Sequence, residues 1–142
     1  MHLPHVNYFA VLTSGVVIFI LGGLWYSLLF AKPWMALMGV TEEKMKAFKE
    51  SPAAKMMPLM YFAALICALL IAWVLAVIIN HFGEVDAMRG AEVGAVCWLG
   101  FAGATSFASE IFSMRPLKLW IINSGYNLAS FVIAGVILGA WR

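Results

Sequence analysis

The stretch PLMYFAALICALLIAWVLAVIIN, Pro58 to Asn80, decides the architecture. It holds no charged residue over a length that, at about 1.5 Å per helical residue, exceeds the roughly 30 Å hydrocarbon core of a bilayer. Pro58 suits a first helical turn, where its missing N–H has no partner to lose. Three further stretches read the same way, at about Asn7 to Phe30, Val93 to Ser113 and Leu117 to Trp141. No Lys or Arg precedes the first of these, its apolar run is longer than a signal-peptide core, and no small-x-small cleavage site follows. It is therefore expected to stay as the first span. The fold class is all-α: an integral membrane four-helix bundle, read as one domain over residues 1–142.

Composition agrees. Of 142 residues 64% are hydrophobic and 11% charged, against an apolar share of about 45–50% in soluble domains, so the surplus must face lipid. The formal net charge is only +2, and the lysines between the first two spans alternate with Glu42, Glu43 and Glu50. No nucleic-acid surface is expected; the basic bias reads as topology and attraction to lipid headgroups. Lys32, Lys44, Lys46, Lys49, Lys55, Arg115 and Lys118 fall in the loops after the first and third spans, with only Arg89 and Arg142 on the opposite side. That asymmetry places both loops in the cytoplasm of a bacterial inner membrane and both termini outside. Trp25, Tyr26, Trp34, Trp98, Trp120 and Trp141 lie near span ends, where amphipathic rings favour the headgroup zone.

The long first loop has structure of its own. In Val40-Thr41-Glu42-Glu43-Lys44-Met45, Thr41 can cap a helix, acids occupy its first turn and Val40 can staple to Met45. A short amphipathic helix from about Glu42 to Glu50 is expected on the membrane surface, ended by Ser51-Pro52; a solvated loop with one helical turn is the alternative. Small residues recur at helix-packing intervals, among them Ala10 and Ser14, Gly90 and Gly94, Gly103 and Ala104, Gly125 and Ala129, Gly135 and Gly139. They account for packing within the bundle, although one outward pair could serve a partner. Phe30-Ala31-Lys32-Pro33 and Phe112-Ser113-Met114-Arg115-Pro116 echo each other, as in a parallel two-helix repeat.

Chemistry-bearing residues are few. Glu110 is the one acid well inside an expected span; facing lipid it would be costly, so it should pair with Arg115, Lys118 or Lys32, or act as a proton-coupling or ligand-binding acid. Asn123, Asn127 and Ser130 share a face of the fourth helix and Tyr126 adjoins it. They read as interhelical hydrogen bonds; alternatively Asn123 and Tyr126 join Ser27, Lys32, Glu110, Arg115 and Lys118 in one polar pocket at the cytoplasmic end, with Asn127 a further candidate beside it. Cys67 and Cys97 lie at different depths and read as packed thiols. His2, His5 and His81 could share the outer side, but no Cys or carboxylate completes a metal site, and no expected span carries a His for haem. No metal and no cofactor is expected. Phosphate-loop, His-Glu-x-x-His and Gly-x-Ser-x-Gly patterns do not occur.

Leu24-Trp25-Tyr26-Ser27-Leu28-Leu29-Phe30-Ala31-Lys32-Pro33-Trp34 and Arg115-Pro116-Leu117-Lys118-Leu119-Trp120-Ile121-Ile122-Asn123-Ser124-Gly125-Tyr126 resemble a family of small, mostly bacterial membrane proteins catalogued as domain of unknown function 1761. The resemblance covers nearly the whole chain, and its Trp-Tyr-Ser and Arg-Pro-Leu-Lys segments are fairly specific. It implies a shared feature built from Trp25, Tyr26, Ser27, Lys32 and Trp34 with Arg115, Lys118, Asn123 and Tyr126, and no established activity. Where the family often has Pro and Gly this chain has Leu28 and Ala31, so its first helix is expected to run straighter. The leading functional expectation is a non-enzymatic accessory or structural subunit or a homo-oligomer, with lipids, itself or a larger membrane complex as partners. The alternatives are a proton- or cation-coupled transporter or channel using Glu110, and an anionic lipid-binding module or membrane enzyme.

Overall fold

In the computed structural model, residues 5–141 are described. Asn7 starts helix α1 (Tyr8–Leu24), its Oδ1 accepting from the backbone N–H of Phe9 at 3.0 Å and of Ala10 at 3.3 Å. The helix continues as a π-helical turn over Trp25–Leu29 and breaks at Phe30, where φ is −124°. Helices α2 (Ala31–Leu37) and α3 (Glu42–Glu50) follow, then a 3₁₀ turn (Pro52–Met56) that runs into α4 (Met57–His81). After a short turn come α5 (Ala87–Cys97), a second π-helical segment (Trp98–Gly103), α6 (Ala104–Phe112) and α7 (Leu117–Ala140). Among the described residues four continuous helical segments are long and apolar enough to cross a membrane: Tyr8–Leu29, Pro52–His81, Ala87–Phe112 and Leu117–Ala140. They alternate in direction. Residues 5 and 141 and the 82–86 turn gather at one end, called here the termini end, and residues 30–56 with the 113–116 turn form the lysine-rich end.

One expectation changes. The third span begins at Ala87 and not near Val93, because Asp86 caps it, Oδ1 accepting from the N–H of Arg89 at 2.9 Å; hydrophobicity hid this start, since Arg89 and Glu92 lie in the first two turns. The first helix carries a π turn at Trp25–Leu29 near its end, and the chain leaves helical geometry only at Phe30. Gly135 and Gly139 pack within the bundle, as their spacing suggested: a Cβ on Gly135 would collide with the Gly90 carbonyl, one on Gly139 with the Asp86 carbonyl, and one on Gly94 with the Phe131 carbonyl. These glycines let the backbones of α5 and α7 touch, as small residues do between helices in lipid. Cys67 is exposed, Cys97 is buried, and both are free thiols.

The amphipathic loop helix forms where the sequence places it. Thr41 Oγ1 accepts from the N–H of Lys44 at 3.3 Å, and α3 ends at Ser51. Two helices end in the same six-residue closure: Val40 N–H to Met35 O at 2.9 Å after α2, and Arg115 N–H to Glu110 O at 3.3 Å after α6. In each, one residue adopts left-handed backbone, Gly39 at φ 66° in the first and Met114 at φ 52° in the second. Glycine enters that region freely, whereas a side chain there costs about 1–2 kcal/mol.

α7 touches each of the other three spans, and the core is concentrated toward the termini end. Ala10, Ser14 and Ile18 of α1, Ala72, Leu75 and Ile79 of α4, and Ala134 and Leu138 of α7 are buried. Nearer the lysine-rich end α4 stands away from the bundle: residues 58–64 are all exposed, and its first buried residue is Ala68. α6 is likewise largely uncovered. What holds that end together is a cluster of aromatic side chains between the first helix and α7.

Candidate functional site

The π turn places Trp25 and Tyr26 on successive residues that both reach α7. Trp25 Nε1–H donates to the Ile122 carbonyl at 3.0 Å, and Tyr26 Oη–H donates to Asn123 Oδ1 at 3.0 Å. Tyr126 returns the contact, its hydroxyl donating to the Ile18 carbonyl at 3.3 Å. Tyr26 meets Tyr126 edge-on with ring centroids 5.5 Å apart and meets Trp34 of α2 edge-on at 5.7 Å, the geometry aromatic quadrupoles favour. Gly125 gives room for the Trp25 indole and Gly22 for the Tyr126 hydroxyl: an added Cβ would lie 3.3 Å and 3.0 Å from them. Two polar tips thus satisfy backbone carbonyls inside the bundle, and a third pairs with a side-chain amide.

A second group sits at the α6–α7 turn. Arg115 Nη1 lies 3.5 Å from Glu110 Oε1, while Glu110 Oε2 is buried with no protein partner. Close by, Trp120 Nε1–H donates to Ser106 Oγ at 3.0 Å and its ring meets Phe107 edge-on at 4.9 Å, which ties α6 to α7. Of the candidate residues, Trp25, Tyr26, Trp34, Asn123 and Tyr126 therefore converge, and Glu110 and Arg115 form a separate pair. Lys32 and Lys118 are exposed, and Ser27 is exposed with its hydroxyl turned back to the Gly23 carbonyl. Asn127 is half-buried, and Ser130 donates to the Tyr126 carbonyl at 2.8 Å along its own helix. No recorded side-chain contact joins the two groups into one pocket.

A groove of about 610 Å³ opens beside the aromatic cluster, where α4 stands off from the first helix. Phe19, Gly22, Tyr26, Ser27, Tyr61 and Tyr126 line it, so phenolic and alcohol hydroxyls border an otherwise apolar cleft. Sequence reading missed Tyr61, which resembles an ordinary interfacial aromatic, and Gly22, whose role depends on a partner over a hundred residues away. It also missed Glu92, since the third span was expected to start near Val93, six residues after its actual start at Ala87. His2 lies outside the described residues; among those described, no three His, Cys, Asp or Glu side chains form a group that could hold a metal ion.

This is an all-α bundle of four membrane-length helices, with its polar and aromatic residues gathered near the lysine-rich end. A family profile described as "Protein of unknown function (DUF1761)" matches residues 9–139. The chain belongs to that family, as its two Trp- and Arg-led segments suggested. No curated protein matches it, and no solved structure does.

Proposed function

We infer that the protein is a non-enzymatic subunit of the bacterial inner membrane that works by assembling, with itself or within a larger membrane complex. The observation carrying this reading is where the candidate polar groups spend their bonds: Trp25 on the Ile122 carbonyl, Tyr26 on Asn123, Tyr126 on the Ile18 carbonyl. Groups so engaged brace helices and present little to a substrate. Glu110, paired with Arg115 and two residues from the end of α6, lies far from the mid-membrane depth at which coupled transport sites usually sit. Native mass spectrometry of protein gently extracted from its own membrane tests the reading. A fixed stoichiometry, unchanged by Glu110→Gln and Lys118→Ala, supports it; a monomer that drives pH-dependent flux in liposomes, abolished by Glu110→Gln, refutes it.

The hydroxyl-bordered groove favours a second reading, an anionic lipid-binding module. Its apolar wall suits an acyl chain, and Lys32, Arg115 and Lys118 provide charge for a headgroup at a cytoplasmic helix end. Retention of the same anionic lipid by the wild type and by an Arg115→Ala, Lys118→Ala double variant would exclude it.

A further inference from the structure

We propose that two copies of this chain pair side by side about a two-fold axis along the membrane normal, through the uncovered face of α5 and α6, with Glu92 of each protomer meeting the partner's Arg89. This rests on the self-assembly reading above and names its partner and its face.

The third span is the least covered of the four: 11% of its most apolar window is buried in the bundle, against 28–33% for the others. Its inner side is held by the glycine contact with α7, and its outer side has no partner within the chain. Glu92, Val96, Gly100, Ala104 and Ala108 recur at four-residue steps, and all are exposed. Such spacing runs along one side of a helix.

Glu92 makes this face unlike the other lipid-facing ones. The segment Ala87–Phe112 has 26 residues, about 39 Å of helix against a hydrocarbon core of about 30 Å, so roughly three residues project at each end. Gly139 packs on the Asp86 carbonyl, which sets the start of α5 level with the end of α7. Glu92, five residues in, then lies below the headgroup boundary, deeper than Glu110 at the opposite end. An exposed carboxylate at that depth is costly unless a cation meets it. No ion pair joins Glu92 to another described residue, the recorded pair being Glu110 with Arg115.

A second copy supplies the cation by symmetry. On parallel helices related by a two-fold axis, equivalent residues sit at equal depth and contacts are reciprocal. Arg89 is exposed and one turn nearer the surface, and a helical side chain at Glu92 leans toward the helix N-terminus, up to that level. Glu84 and Asp86 border the same cavity as Arg89, but Asp86 is engaged in capping the N–H of Arg89 and neither acid forms an ion pair with its guanidinium. Gly100, where an added Cβ would meet nothing within 4 Å, and the alanines beyond it let the two helices approach. The charge pattern is self-complementary, which selects a second copy over an unrelated helix.

The test is single-molecule photobleaching of the full-length chain, labelled and reconstituted over a range of protein-to-lipid ratios. The wild type is expected to dimerise. Glu92→Gln removes two symmetry-related contacts and should weaken dimerisation by about tenfold, as polar contacts in membranes are worth. Gly100→Leu should abolish the dimer while leaving the monomer's stability intact. Glu92→Arg and Arg89→Glu should each be monomeric alone and pair when co-reconstituted, because the two surfaces are then complementary. Should Glu92→Arg fail to insert, Glu92→Gln and Gly100→Leu still decide. Assembly that ignores these changes overturns the proposed face while leaving self-assembly standing. A wild type that is monomeric at every density, or that pairs through this face only with a different protein, overturns the second copy as occupant.

Discussion

Gly135→Ala adds a single methyl group where the structure has least room. The new Cβ would sit 2.8 Å from the Gly90 carbonyl carbon, and closer to its oxygen, when ordinary contact begins at 3.4 Å. Both atoms are helix backbone, so no side chain can swing aside. α5 and α7 must separate by roughly 1 Å, which forfeits a quarter to a half of each dispersion contact along the seam. Overpacking of this kind costs about 1–3 kcal/mol, and about 2 kcal/mol is expected here because the Gly90, Gly94 and Gly139 contacts loosen together. Gly23→Ala is the control: its Cβ would meet nothing within 4 Å, and the gain of alanine over glycine in a helix, about 0.5–1 kcal/mol, should leave it neutral or slightly more stable. Unfolding of both variants and the wild type by sodium dodecyl sulfate titration from mild-detergent micelles, followed by circular dichroism, measures the difference. A Gly135→Ala protein within 0.5 kcal/mol of wild type would refute the backbone contact between α5 and α7.

Met114→Gly should raise stability by about 1 kcal/mol in the same titration, because it relieves the left-handed backbone at the α6–α7 turn. Tyr26→Phe should lower it by about 1 kcal/mol by leaving the Asn123 amide oxygen unpaired, and should speed hydrogen exchange around the π turn; an unchanged exchange pattern would mean that the hydroxyl carries no weight. Thr41→Ala should cost α3 its N-cap, about 1 kcal/mol locally, read as faster exchange at the Lys44 amide with the membrane helices unaffected.

The four spans were legible because lipid demands long charge-free runs, and so was α3, whose Thr41 cap and acidic first turn are local signals. The start of the third span was obscured by Arg89 and Glu92, which a hydropathy reading assigns to a loop; Asp86, a residue type that commonly caps helices, was the signal that could have extended it. The π turns left no trace that period counting could detect. In the candidate site, Tyr26 and Asn123 could be shortlisted as polar residues near one end, but Trp25 binds the Ile122 backbone carbonyl, an acceptor every residue carries and no sequence pattern marks. The pairing of Gly90 with Gly135 was hidden for a related reason, since small-residue spacing tells that a helix is approached closely and not by which neighbour.

The uneven core also gives the bundle two mechanical regimes. At the termini end, the glycine-seated seam sets the backbone of α5 directly on that of α7, so this pair resists in-plane squeezing as one stiff unit. Toward the lysine-rich end, the free turns of α4 bear on a groove and not on packed side chains, and bending them inward breaks few contacts. Lateral pressure from the surrounding leaflet would therefore move the first turns of α4 more readily than the α5–α7 pair, with the close approach of Gly15 to Leu69 as the fulcrum about which α4 flexes.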